Sequence, residues 1–145
     1  MIRGFTRITV RLVRKPTKKD VNSDLQWIGN SLGLFGIRDK DKSCFRIFIE
    51  LLKSTRQKKP LSSDELAFRL NLSRGTVVHH LNNLMEAGLV VSNKNKYLLR
   101  DDNVETLVSD LRQDVELVFA ELTRIAEDID DSLGFEMRRK KQIEQ

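Results

Sequence analysis

The sequence predicts a mainly α-helical chain with a small β-hairpin, and three patterns carry that prediction. Apolar residues recur at helical spacing through most of the chain. The period becomes extended around residues 89–99. From Val104 an apolar stripe repeats in steps of four and three as far as Ile129. A chain of 145 residues has room for one domain with an accessory helix. Hydrophobic residues make up 39% and charged residues 32%, with a net charge of +5. No apolar run reaches the ~20 residues that a membrane span needs, and the first residues lack the apolar stretch and cleavage site of a signal peptide, so no membrane partner is expected. Cys44 is the only cysteine. That excludes a disulfide framework within the chain and a thiolate-rich zinc site, and it fits a reducing, cytoplasmic setting.

The charge is polarised along the chain. Residues 1–60 hold 15 basic and 5 acidic side chains, whereas residues 101–145 hold 6 and 13. One end is suited to a polyanion and the other is not. The first residues, 1–20, form a basic arm with Arg3, Arg7, Arg11, Arg14 and Lys15 as candidate contacts to a nucleic-acid backbone. Within it Ile8, Val10 and Leu12 alternate with Thr9, Arg11 and Val13, which predicts a short strand ending at Pro16. Its partner would be the hairpin at 89–99 or the same arm of a second subunit. Residues 22–36 read as a short helix opening at Asn22 or Ser23, with Leu25, Ile28 and Leu32 on one stripe and Trp27 beside it. Gly29, Gly33 and Gly36 interrupt it, in packing or terminating roles, since no Gly-Lys-Ser/Thr follows to make a phosphate loop.

Asp39, Asp41, Ser43 and Glu50 stand at positions 1, 3, 5 and 12 of a calcium-loop template, but its glycine position is Cys44 and FRIFIELL follows. The better reading is a helix capped near Asp41 or Ser43. Phe45, Phe48, Ile49 and Leu52 form one apolar face of this helix, and Cys44, Ile47 and Leu51 a second. Such a helix needs burial on both faces, by its own domain and by a partner.

The most informative segment is LSSDELAFRLNLSRGTVVHHLNNLMEAG, residues 61–88. Ser62 and Glu65 make a capping box, with Leu61 and Leu66 placed as the hydrophobic staple. Ser73 caps a second helix that buries Val77, Leu81, Leu84 and Met85, and Gly88 is placed to end it. Two helices joined by so short a turn make a helix-turn-helix, spanning 62–87. The solvent face of the second helix carries Arg74, Gly75, Thr76, Val78, His79, Asn82 and Asn83, with no acid. Short donors, acceptors and a methyl-bearing side chain suit base edges and phosphates better than plain solvation does. Gly75 would allow close approach to a backbone. His79 and His80 are adjacent, so they point about 100° apart and cannot share a metal as an i, i+4 pair would. After Gly88, Leu89-Val90-Val91 and Tyr97-Leu98-Leu99 flank Ser-Asn-Lys-Asn-Lys. This is a hairpin over 89–99 with Lys94 and Lys96 at its tip, a wing whose lysines suit phosphate or a flanking minor groove.

The run LSRGTVVHHLNNLMEAGLV resembles the winged helix-turn-helix repressors of the arsenic-repressor (ArsR-type) family, over about residues 42–111. The resemblance implies a homodimer with one recognition helix per subunit, set in successive major grooves of double-stranded DNA. It puts Arg74, Gly75, Val78, His79 and Asn82 towards bases, and Ser73 and Thr76 at phosphate. It further implies repression by blocking polymerase access. The segment ELAFRL lacks the family's metal-binding cysteines, so metal sensing is not carried over.

The stripe from Val104 places Val108, Val115, Leu122 and Ile129 at one heptad position and Val104, Leu111, Val118 and Ile125 at the other. This predicts a coiled-coil-like dimerisation helix within 101–145; the alternative is a long amphipathic helix folding back onto its own domain, which Leu107, Leu117 and Phe119 keep open by widening the stripe. Its outside carries Asp110, Asp114, Glu116, Glu121, Glu127, Asp128, Asp130 and Asp131, which DNA would repel. The expected organisation is an arm at 1–20, a winged helix-turn-helix domain at 21–100 and this helix. Nothing forms a nucleophile motif, a carboxylate pair, a nucleotide loop or a metal cluster, so neither catalysis nor a cofactor is expected. The leading expectation is a sequence-specific DNA-binding transcriptional regulator. The alternative is a winged helix used as a protein-interaction module, or a general DNA-binding protein, in a transcription or chromatin assembly.

Overall fold

The computed structural model describes residues 5–35 and 42–135. Its element order is α1 (Val21–Ser31), α2 (Ser43–Arg56), β1 (Leu61–Ser62), α3 (Ser63–Leu70), α4 (Arg74–Glu86), β2 (Val90–Asn93), β3 (Lys96–Leu99) and α5 (Val104–Ser132). The chain is mainly helical with a small antiparallel sheet, the winged helix-turn-helix arrangement. It divides into two compact units, one up to Leu111 and one from Arg112.

The local hydrogen bonds that end and begin helices account for most boundaries. Ser62 Oγ accepts from Glu65 N at 3.0 Å and Glu65 Oε1 from Ser62 N at 3.2 Å, closing the capping box of α3. Those bonds hold the Glu65 carboxyl below its usual range, so this part of the cap's stability is lost as pH falls through that lowered value. At the end of α4, Leu89 N donates to Leu84 O at 3.0 Å and Gly88 N to Met85 O at 3.0 Å, with Gly88 at φ +79. This is the Schellman arrangement, and it demands a left-handed residue where the glycine stands. The end of α1 repeats it, with Gly33 at φ +69. Gly29 has a packing role, because a Cβ there would lie 1.8 Å from the Phe35 ring. Gly36 lies outside the described residues.

Three local expectations need correction. Helix α1 starts earlier than expected, because Asp20 caps it by accepting from Ser23 N at 2.8 Å. Helix α2 begins after Lys42, which is left-handed and makes no side-chain cap; Asp39 and Asp41 lie outside the described residues. The alternating segment around Ile8–Leu12 forms no ladder. Instead Thr6 N and Arg7 N donate to Glu86 O, Arg11 N donates to Ser31 O, and Trp27 Nε1 donates to Val13 O at 3.0 Å. The segment is bound to helix ends and to Trp27, so only Ile8 turns to the core while Val10 and Leu12 are exposed.

The core centres on α2. Cys44, Ile47 and Leu51 are fully buried with Leu66, Val77, Leu81, Leu84, Leu89 and Leu99. The other face of α2 is covered from within the same unit: Phe45 meets Phe35 edge to face at 5.4 Å between ring centres. On that face Phe48 is buried, while Phe45, Ile49 and Leu52 are half-buried. The sheet order is β1-β3-β2, with Leu61 opposite Tyr97 and Ser62 opposite Lys96, and Val90 opposite Leu99 in the hairpin. The pairing of β1 was not anticipated, since two residues are too few to show a period. Helix α5 opens at Asn103, whose Oδ1 accepts from Thr106 N at 2.8 Å. No helix of the described residues is long and apolar enough to cross a membrane.

Candidate nucleic-acid interface

The turn between α3 and α4 sets the site. Asn71 ends α3 in the left-handed conformation at φ +54, and Ser73 then caps α4. Ser73 Oγ accepts from Thr76 N at 3.1 Å and donates to Thr76 Oγ1 at 2.8 Å. Ser73 is therefore committed to the cap, with the Thr76 hydroxyl as its acceptor. Arg46 of α2 donates to Leu70 O, and so ties the end of α3 to the central helix.

Above the buried line Val77, Leu81 and Leu84, helix α4 exposes Arg74, Gly75, His79, Asn82 and Asn83, with Thr76, Val78 and His80 half-buried. A Cβ at Gly75 would meet nothing within 4 Å, so the chain's own packing does not require glycine there; the gap opens outward. The Asn83 amide lies 3.4 Å from His79 Nε2, and the two imidazole rings are 5.3 Å apart at 59°. Asn83 belongs with the face on this geometry, and its signal was the i, i+4 spacing from His79. Among the described residues no group of three His, Cys, Asp or Glu could hold a metal ion.

The wing turn is Lys94-Asn95, at φ +53 and +63, a two-residue type I′ turn between paired strands. Lys94 therefore sits at the tip. Lys96 is already in β3, and its Nζ lies 3.9 Å from Glu65 Oε1. The arm meets the other end of α4: Arg7 pairs with Glu86 at 3.3 Å, and Arg11, Arg14 and Lys15 are exposed along the same segment. Arg3 lies outside the described residues.

Residues 49–92 match the family model "Bacterial regulatory protein, arsR family". Over that stretch the chain is similar to the helix-turn-helix domain of this family. The matched stretch runs from within α2 through α3 and α4 into β2, and so contains the whole exposed face of α4. The arsR-family domain supports a DNA-binding transcription regulator. No curated protein and no solved structure matches the chain.

The predicted dimerisation residues do not share one environment. Leu111 is buried in the first unit, and Val104 is half-buried there beside the exposed Val108. In the second unit Val115 is half-buried, while Val118, Leu122, Ile125 and Ile129 are exposed. On the acidic side, Asp114 is buried and Asp110 half-buried, because each falls on the side of α5 that Leu107 and Leu111 share, rather than on its outside.

Proposed function

We propose that the chain is a sequence-reading regulator that binds double-stranded DNA as a homodimer and places α4 in the major groove. The observation that carries the reading is the exposed face of α4: Arg74, His79, Asn82 and Asn83 around the open Gly75, with no acid among them. Arg pairs with guanine edges and Asn with adenine edges, and a threonine hydroxyl such as that of Thr76 can serve phosphate. Val78 can meet a thymine methyl. Lys94 would contact phosphate or enter the flanking minor groove, with Lys96 behind it, and Arg7, Arg11, Arg14 and Lys15 would follow the backbone beyond the C-terminal end of α4. The exposed apolar stripe Val118, Leu122, Ile125 and Ile129 supports self-association, which would set two recognition helices about one DNA turn apart on a two-fold site.

The test is selection from a pool of random duplexes, followed by titration across salt with the mass read by light scattering. A dimer that enriches a two-fold site, with affinity falling steeply as salt rises, is the expected result. A steep slope without an enriched sequence would mean a general DNA-coating protein. One observation favours a second reading. Phe68 of α3 is 89% exposed, an aromatic anchor of the kind protein interfaces use. Absence of DNA binding at low salt would overturn the regulator and turn attention to that surface.

A further inference from the structure

Leu12 is 106% exposed and Val10 74% exposed, on a segment that is bound to the fold at several points. Thr6 N and Arg7 N donate to Glu86 O, at the end of α4, at 2.8 and 3.1 Å. Arg11 N donates to Ser31 O at 2.7 Å, and Val13 O accepts from Trp27 Nε1 at 3.0 Å. Leu12 thus stands between two anchored neighbours. Ile8 of the same segment packs against the core, whereas Leu12 is held wholly in the open. Arg11, Arg14 and Lys15 are exposed around it, and no acidic residue precedes Asp20. A fixed aliphatic side chain among cations, with no carboxylate nearby in the sequence, has the chemistry of a wedge for stacked bases between phosphates.

We propose that Leu12 is a minor-groove wedge, which enters a base step beside the major groove that α4 occupies and bends the duplex there. The inference rests on the DNA-binding reading and adds a second source of specificity to it. An element lying past the end of a helix seated in the major groove crosses the phosphate backbone and meets the flanking minor groove. The arm is such an element, because Thr6 and Arg7 bond to the Glu86 carbonyl. An anionic lipid surface would suit the same charges, but the tether to α4 puts the wedge beside the base-reading helix. Insertion of an aliphatic side chain unstacks a step and kinks the duplex. The lost stacking is offset by leucine surface removed from water, and by phosphates that the bend brings to Arg11, Arg14 and Lys15. The anchored backbone helps, since less freedom is lost on insertion than from a loose arm. The cost of unstacking depends on sequence. Pyrimidine–purine steps open most easily, so Leu12 favours sites with such a step at a fixed distance outside the α4 contacts, without a hydrogen bond to any base.

The experiment uses the full chain and its Leu12→Ala and Leu12→Phe variants, whose melting temperatures should match the wild type because Leu12 is fully exposed. Bending of the selected duplex is read by energy transfer between dyes at its ends, and unstacking by 2-aminopurine placed at the flanking step. The wild type should shorten the end-to-end distance and brighten the probe. Leu12→Ala should abolish both, and lower affinity by about ten-fold for the matched duplex but only about two-fold where a mismatch has already opened the step. Leu12→Phe, another wedge, should keep the bend. Selection repeated with Leu12→Ala should retain the α4 contacts and lose the pyrimidine–purine step. A bend and probe signal unchanged in Leu12→Ala overturn this inference while the regulator reading stands, as does sequence-selective binding by a wild type that does not bend the duplex. A lower mass for Leu12→Ala by light scattering, with the bend intact, overturns it in favour of contact between copies. Wild-type binding to phosphatidylglycerol vesicles that Leu12→Ala loses, with the bend intact, overturns it in favour of a lipid surface. Failure of the wild type to bind any duplex overturns both readings.

Discussion

Helix α5 passes through both compact units, and its two parts treat the same kind of apolar residue in opposite ways. In the first unit Leu107 and Leu111 are 2% and 4% exposed. In the second, Leu122 and Ile129 are 55% and 52% exposed. The heptad pattern does not change between them. Leu107 is not even on the strict stripe, yet it is the more deeply buried residue, while Val108 on the stripe stays exposed. An amphipathic pattern says that a face has something to cover it. It does not say whether the cover comes from the same chain or from another.

The sharpest way to break this comparison is to damage each part in turn. Leu107→Ala should destabilise the first unit by about 2–5 kcal/mol, read as a lower denaturation midpoint from Trp27 fluorescence. Leu122→Lys combined with Ile129→Lys should instead halve the mass seen by light scattering, and leave the Trp27 signal at low protein concentration unchanged. If the double lysine variant unfolds the first unit, the two parts are not separate in kind.

The next effect tests whether sequence reading belongs to the first unit alone. His79→Ala or Asn82→Ala should cost about 1–3 kcal/mol on the selected site and far less on random DNA, by titration on both. Equal losses would show that these residues do not read bases.

A smaller effect lies where the wing passes into α5. Burial, followed by the hydrogen bond to Asp110 and that residue's charge, pushes the Asp101 carboxyl up to about 6. A raised folded value favours folding fully below the ordinary value of 3.8, and this contribution is lost as pH rises towards 6. Asp101→Asn should therefore stabilise the chain at pH 7.5 by about 1–2 kcal/mol after discounting for solvent screening, and by nothing at pH 3. Denaturant midpoints at the two pH values decide it. The smallest effect concerns Lys94, whose left-handed backbone suits asparagine better than lysine. Lys94→Asn should gain about 0.5 kcal/mol in hairpin stability while it lowers the salt slope of DNA binding by about one.

The legible parts of the fold share a physical feature. The Ser62–Glu65 box, the Ser73 cap, the Gly88 terminus and the two-residue wing turn are all closed by partners no more than five residues apart. The candidate site was legible for the same reason, since one helical period puts Arg74, His79 and Asn82 on one face once the cap is located. What escaped was non-local. Strand β1 exists because β3 lies beside it, the Ile8 segment is bound to the ends of α4 and α1 instead of a ladder, and Asp64 and Glu86 pair with cations on other segments.

By itself, then, the sequence determined where α3 and α4 begin and where α4 ends, which side of α4 is polar, and that α5 has an apolar face, because capping bonds and side-chain periodicity are properties of neighbours in the chain. The tertiary structure alone decided how much of that face is satisfied at home. It also decided that Phe35 meets Phe45 on the second face of α2, and that three of the candidate-interface cations, Arg7, Arg74 and Lys96, meet carboxylates, because burial and ion pairing depend on which distant segments arrive at the same place.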